Sequence, residues 1–285
     1  MNYAVTGATG KLGRLVVEEL LKTQPPEKIV AVVRDAEKAA DLAARGPQVR
    51  VASYDDPPAL EAALSGVDKV LLVSGSEVGK RIPQHKNVID AAKSAGVKHL
   101  IYTSAPKATT SALVLAPEHK ATEEYLAASG LPYTVLRDGW YTENYVRTAE
   151  TAKQTGTIVA AAGDGRVASA GRADYAAAAA TVLLGDGHEG KVYELSGDYA
   201  WDFNELAAAL TELLGKPITY QPVDGAALIE ILTGAGVPGP GAEFAAALDA
   251  NIAAGLLGET SGDLSRLIGR PTTPFKEGLR AALGG

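Results

Sequence analysis

Near its start the chain reads Thr6-Gly7-Ala8-Thr9-Gly10-Lys11-Leu12-Gly13, three glycines in the spacing G-x-x-G-x-x-G. Tyr3-Ala4-Val5 before it suits a strand, and the stretch from Lys11 onward suits a helix. In that setting each glycine has a task. One permits a tight turn, one lets backbone approach a pyrophosphate, and one lets helix pack against strand. The opening turn of the helix then offers unpaired N–H groups and partial positive charge to phosphate. Alone, such a triplet reads as an ordinary turn; between a strand and a helix it predicts a dinucleotide site.

The residue ending the next strand selects the dinucleotide. Enzymes that use NAD place Asp or Glu there, to accept from the ribose 2′-hydroxyl. This chain has Val33-Arg34-Asp35. A guanidinium at position 34 pairs with a 2′-phosphate, which favours NADP(H), while Asp35 leaves NAD(H) open. Small residues at Ser74-Gly75-Ser76, ending the fourth predicted strand, suit the path of the nicotinamide half. Asp55 could meet the adenine amine or start a helix with Pro57-Pro58.

For the reacting groups, the first test is the Tyr-x-x-x-Lys pair that short-chain dehydrogenases use to move a proton. None of the 11 tyrosines has Lys four positions on, and the position that Lys120 would need is Ala116. Without that pair the chemistry narrows to acceptors needing little protonic help. Quinones qualify, because the ring delocalises the developing anion, and hydride transfer then rests on holding the acceptor at reactive distance. Arg137-Asp138-Gly139-Trp140-Tyr141-Thr142-Glu143-Asn144-Tyr145 follows the sixth predicted strand. Its aromatics suit either the wall of a flat pocket or a small aromatic core under a second lobe, and Asn144 could bond a carbonyl. His119 could orient or protonate substrate, or serve structure alone. His85, His99, His119 and His188 show no paired metal-ligand spacing, and no Gly-x-Ser-x-Gly elbow marks a hydrolase.

Composition limits the partners. In 285 residues, 27 Lys+Arg face 34 Asp+Glu, a net charge of −7 with no basic run. Nucleic acid is a poor partner for such a surface. The absence of cysteine excludes disulfides and thiolate chemistry and fits a reducing cytoplasm. Tyr175 to Gly185, the longest apolar run, is about half the ~20 residues a membrane helix needs. The N-terminus enters the glycine motif at once, leaving no room for a signal peptide. A small molecule is the expected partner, and assembly of identical copies remains open.

The elements that must position these groups alternate. β-branched runs fall at Tyr3–Thr6, Ile29–Val33, Val49–Ala52, Lys69–Val73, His99–Thr103 and Tyr133–Leu136. Helical stretches lie between them at Lys11–Lys22, Ala36–Ala44, Pro58–Leu64, Pro83–Ala95 and Pro117–Ala128. Gly46, Gly66, Gly96 and Gly130 stand where helices end in a left-handed cap. The pattern predicts an α/β fold, a doubly wound parallel sheet of Rossmann type, with a smaller mixed α/β lobe at the C-terminus. Further strands are expected at Gly156–Ala162 and Lys191–Ser196, and helices at Ala173–Leu184 and Phe203–Leu214. The dinucleotide domain is placed at residues 1–150, rejoined by part of 155–186, and the smaller lobe at 187–285, with Gly234–Gly241 a loop between two of its helices.

Four segments together carry a family resemblance: Thr6–Gly13, Ser76–Ile89, Asp138–Tyr145 and Ala168–Tyr175. They resemble the type 2 NAD(P)H:quinone oxidoreductases of bacteria, in the NmrA-like branch of atypical short-chain dehydrogenases. The likeness runs nearly end to end, through Gly187–Leu195 and Leu267-Ile268-Gly269. It implies that Thr6, Gly7, Ala8, Thr9, Gly10, Lys11 and Leu12 hold the pyrophosphate and Arg34 the 2′-phosphate. It further implies that Ser74, Gly75, Ser76, the segment Asp138-Gly139-Trp140-Tyr141-Thr142-Glu143 and Arg172 line the rest of the cofactor. His119, Tyr141 and Asn144 are the candidates for catalysis. Related isoflavone-reductase-like enzymes use Lys near position 119, so His119 speaks against their chemistry. The implied activity is NADPH-dependent two-electron quinone reduction. The branch also holds triphenylmethane dye reductases and NADP(H)-sensing regulators without turnover, the two alternatives.

Overall fold

Ile29–Val33 is an unbroken run of buried β-branched and small apolar residues, as a strand covered on both faces requires. It belongs to the seven-stranded main sheet of the computed structural model, which describes residues 1–284. The first half alternates β1 (Tyr3–Thr6), α1 (Lys11–Leu21), β2 (Ile29–Val33), α2 (Ala40–Ala44), β3 (Gln48–Val51), α3 (Pro57–Leu64), β4 (Lys69–Leu72), α4 (Arg81–Ser94), β5 (His99–Ser104), α5 (Ala116–Ala128) and β6 (Tyr133–Asp138). There follow α6 (Val146–Thr155), β7 (Thr157–Ala160), α7 (Arg172–Leu184), β8 (Val192–Leu195), α8 (Phe203–Leu214), β9 (Thr219–Pro222), α9 (Gly225–Gly234), α10 (Gly239–Ala253), α11 (Asp263–Ile268) and α12 (Phe275–Ala282). Gly46, Gly66, Gly96 and Gly130 all take positive φ just past helices.

The main sheet has the order β3-β2-β1-β4-β5-β6-β8, with every pair parallel. The chain winds outward from β1 to β3, then returns to place β4 on the other side of β1. That reversal opens a crevice at the carboxyl ends of β1 and β4, where doubly wound sheets bind their ligands. One face of the sheet is covered by α1 and α7. Val16, Val17 and Leu20 meet Tyr175, Ala178, Ala179 and Val182 in a single core, and the alanines of α7 let the two helices pack closely. The opposite face is closed by Leu60 and Leu64 of α3, Val88, Ile89 and Ala92 of α4, and Leu126 of α5.

The second lobe has its own core, built around Tyr145, Trp201, Phe203, Leu210, Ile252 and Leu279, with a parallel pair of strands, β7 and β9, at one side. Its boundary differs from the division at residue 187. β8 extends the main sheet beside β6, whereas the earlier β7 leaves for the small sheet. Both strands are four residues long with mixed burial, so local pattern does not assign them; Leu195 faces the main core while Ile158 and Ala160 face the lobe. α7 rejoins the main body. The stretch read as one helix over Ala36–Ala44 divides into a 3-10 turn at Glu37–Ala39 and α2, because Ala39 departs from helical dihedrals. Among the described residues no helix is long and apolar enough to cross a membrane.

Candidate functional site

A cleft of about 640 Å³ runs across the carboxyl ends of β1 to β6. Its floor begins in the glycine turn. Gly7 sits at φ +59°, in the left-handed region, and its carbonyl accepts from Gly10 N–H at 2.8 Å. A Cβ on Gly10 would come within 3.0 Å of that carbonyl, and one on Gly13 within 2.4 Å. The turn therefore excludes a side chain at Gly13 and leaves only a tight fit for one at Gly10. α1 opens at Gly10 with no side-chain cap, so its first N–H groups face the cleft for an anionic ligand. Gly7, Thr9, Gly10, Lys11, Leu12 and Gly13 line the cleft, whereas Thr6 and Ala8 are buried beneath it.

Thr6 instead joins the strand ends. Its hydroxyl accepts from Val73 N–H at 3.1 Å and lies 2.5 Å from the Tyr54 hydroxyl, which donates to Val73 O at 2.8 Å. Ser74 N–H in turn donates to Thr103 Oγ1 at 2.9 Å. These bonds lock the ends of β1, β4 and β5 into one rigid edge.

Ser74, Gly75 and Ser76 line the same cleft, and the peptide of Gly75 is clamped from both sides by α4. Its N–H donates to His85 Nε2 at 2.9 Å and its carbonyl accepts from Arg81 Nε at 2.6 Å. Arg81 is paired with Glu118 at 3.2 Å. His85 and His119, the latter bonded through Nδ1 to the Tyr102 hydroxyl at 2.8 Å, are both pushed down to about 3 by burial and by the Arg81 charge. Both are neutral at physiological pH. His119 lies behind β5 and does not line the cleft.

The adenosine end is cationic. Arg34 and Lys38 line it, with Glu77 between Arg34 at 3.3 Å and Lys80 at 3.1 Å. Across the whole lining, Lys11, Arg34, Lys38, Arg81 and Arg172 stand against Glu77 as the one acid. Asp55 lies outside the lining and accepts from Gln84 Nε2, while Asp56 caps α3.

At the other end the segment after β6 divides. Tyr141 lines the cleft, edge-on to Tyr175 at 5.2 Å between ring centres and beneath the Arg172 guanidinium at 4.6 Å. Trp140 and Tyr145 turn into the lobe core, where Tyr145 meets Trp201 at 4.7 Å. The two readings of this aromatic cluster thus each describe part of it. Gly139 N–H donates to Leu195 O at 2.7 Å, too close for a Cβ. Gly139 also lines a second cavity of about 360 Å³ with Pro106, Leu195 and Leu257. Thr142 is buried against Ser169. Glu143 accepts from the Arg172 backbone N–H at 2.8 Å, and exposed Asn144 accepts from the Arg172 guanidinium at 2.9 Å. These two residues hold Arg172 rather than line the cleft themselves. Asp138 is buried, takes a hydrogen bond from the Tyr141 hydroxyl at 3.0 Å, and is pushed up to about 8 by burial.

Lys38, Ser53, Tyr54, Arg81, Gln84 and Thr103 also line the cleft and were not singled out one by one from sequence. The strand-end rule would have found Ser53, Tyr54 and Thr103, which follow or end β3 and β5. Arg81 and Gln84 carry no such signal, since only the fold of α4 onto Gly75 brings them in.

An uncapped helix start, a turn with little or no room for Cβ atoms and an excess of cations together fit a phosphate-bearing dinucleotide. Residues 7–185 match the family model described as NAD(P)H-binding. Quinone oxidoreductase 2 of Escherichia coli is 54% identical over 97% of this chain and 96% of its own length. The crystal structure of the NADPH-dependent quinone oxidoreductase from Escherichia coli complexed with NADPH superposes with a TM-score of 0.95, at 53% identity, covering 98% of this chain and 99% of that one. Triphenylmethane reductase of Citrobacter sp. complexed with NADP(H) superposes at 0.94, with 44% identity over 99% of this chain and 100% of that one.

Proposed function

Since the chain belongs to the NAD(P)H-binding family, we propose that it is an NADPH-dependent quinone oxidoreductase working by direct two-electron transfer. The observation that carries this reading is the cation-lined cleft at the carboxyl ends of the strands, with the glycine turn at its floor. The relative that is 54% identical and bears the quinone oxidoreductase name supports the acceptor class. NADPH, when bound, supplies the hydride.

The residues of this chain do the positioning. The backbone from Gly7 to Gly13 and the start of α1 hold the pyrophosphate; Arg34 and Lys38 hold the 2′-phosphate. Ser74–Ser76, clamped by His85 and Arg81, form the wall at the nicotinamide half, with Thr103, Tyr141 and Arg172 closing that end. A rigid edge matters because hydride transfer depends steeply on the separation and alignment of the reacting atoms. Tyr141, with the Arg172 guanidinium over its ring, gives a planar acceptor an aromatic wall at that end. We place the enzyme in the cytoplasm, on its lack of cysteine.

The test is direct. Purified protein mixed with NADPH and a small benzoquinone consumes NADPH well above the uncatalysed rate, and faster than with NADH. No acceleration over a panel of quinones overturns the quinone assignment. Turnover of triphenylmethane dyes in preference to every quinone reassigns the acceptor.

A further inference from the structure

Hydride delivery to a quinone leaves the product one proton short, and positioning alone does not supply it. Tyr141 lines the cleft, and behind it, 3.0 Å from its hydroxyl, stands the Asp138 carboxyl. Asp138 closes β6, is 6% exposed, and has no ion-pair partner among the described residues. The charged neighbours are all engaged elsewhere. Arg137, on the same strand, turns to Glu123 and Glu194 at 2.7 Å each. Arg172, from α7, is held by Glu143 and Asn144 and lies over the Tyr141 ring. Asp174, on the same helix, is bound by Arg270 and Thr273. Tyr175 contributes a neutral phenol, and Thr103 and Ser104 of neighbouring β5 bring no charge. A carboxylate enclosed this way and left unpaired is costly, so the group keeps its proton.

We infer that Tyr141 donates the proton that completes reduction of the acceptor, and that Asp138 is the positioning residue that replaces it. This rests on the quinone-reductase reading. The accounting is complete. The acceptor takes a hydride, gaining two electrons, and becomes a hydroquinone monoanion. At rest the Tyr141 O–H points to Asp138; in the relay it turns to the acceptor, and its O–H bond breaks as one forms on the acceptor's oxygen. The Asp138 proton crosses to the phenol oxygen, and Asp138 regains a proton from water. The second cavity, which Gly139 lines, brings solvent within one residue of it.

The pair is needed because neither member suffices. Burial holds the Tyr141 phenol well above its ordinary range, so alone it is a poor acid. Asp138, raised to about 8 by burial, is an acid near the working pH but is shielded from the cleft by the ring. Coupled, they present the acidity of the carboxyl at the position of the phenol.

The test uses the full-length protein, Asp138→Asn and Tyr141→Phe, with circular dichroism and the thermal midpoint to confirm the fold. In the free wild-type protein the infrared band of a protonated carboxylic acid is present at pH 7, fades through about pH 8, and is missing from Asp138→Asn. Wild-type turnover of unsubstituted benzoquinone at saturating NADPH declines above about pH 8. Both variants lose this decline and run roughly 100-fold slower at pH 7, a typical share for general acid catalysis. Halogenated quinones, whose hydroquinones ionise readily, are slowed at least tenfold less than benzoquinone by either substitution. A wild-type pH profile and rate in both variants, or no protonated carboxyl at pH 7, overturns the relay while leaving quinone reduction standing. A wild-type protein that reduces no quinone overturns the underlying reading instead.

Discussion

The two ends of the cleft obey different electrostatics. At the adenosine end, charge is plentiful and solvated: the Arg34 side chain is 71% exposed and shares Glu77 with Lys80. At the β6 end and along the α4 wall the charges are locked in pairs, Arg172 with Glu143 and Arg81 with Glu118, and the groups beside them are neutral. Asp138 keeps its proton, while His85 and His119 are deprived of theirs. An anion can be captured by exposed cations at little desolvation cost, since both partners stay partly in water. A redox centre needs the reverse. Its groups must be fixed, dry and neutral, so that charge created during reaction meets pre-set dipoles.

The sharpest way to break this contrast is to destroy the element that serves both ends. Gly13→Val puts a branched side chain where even a Cβ would lie 2.4 Å from the Gly7 carbonyl oxygen, a backbone atom that cannot step aside. Cofactor binding should fall beyond detection in a calorimetric titration, with a stability loss of about 1–3 kcal/mol from overpacking. Near-normal NADPH affinity in this variant relocates the site.

A smaller effect separates the ends. Arg34→Ala removes a charge-assisted contact worth roughly 1.5–3 kcal/mol, taken at its lower end because the side chain is exposed. NADPH should bind about tenfold more weakly, by roughly 1.4 kcal/mol, with NADH unchanged. Equal losses for both nucleotides contradict a 2′-phosphate role for Arg34.

The third effect is a slope rather than a loss. Burial depresses His85 and His119 in the folded protein from 6.5 to about 3. Their contribution to stability is therefore complete above pH 6.5, the unfolded value, and is lost as pH falls toward 3. Denaturant midpoints measured over this window should decline with acid. They should decline less steeply in His85→Gln/His119→Gln, whatever that variant's stability at pH 7. An unchanged slope means the two rings are not neutral in the fold.

How far the residues themselves disclosed this arrangement varies by region. β2 was legible to the residue, because Ile-Val-Ala-Val-Val has no stable alternative to a doubly covered strand. The glycine turn was equally legible, since its constraints are local: Gly10 and Gly13 both close on the Gly7 carbonyl within seven positions. Arg34 and Ser74–Ser76 followed from the rule that parallel sheets bind at their strand ends. Asn144 and His119 show where that reasoning ends. Both lie beside the right elements, but the direction of each side chain depends on packing partners distant in sequence. Asn144 is taken by Arg172 and His119 by Tyr102. The placement of β7 and β8 fails for the same reason, since two strands of only four residues each are assigned by which core has room for them.

The order of apolar runs and the glycine spacing determined, unaided, that this chain winds a parallel sheet and opens a nucleotide cleft at its switch point. Both follow from interactions a few residues long. The protonation of Asp138, the neutrality of the two histidines and the clamp on Gly75 were decided only when β6, α4, α5 and α7 closed around them. A side chain's charge state is set by how much water and which partners surround it, and those come from segments up to about a hundred residues away in the chain.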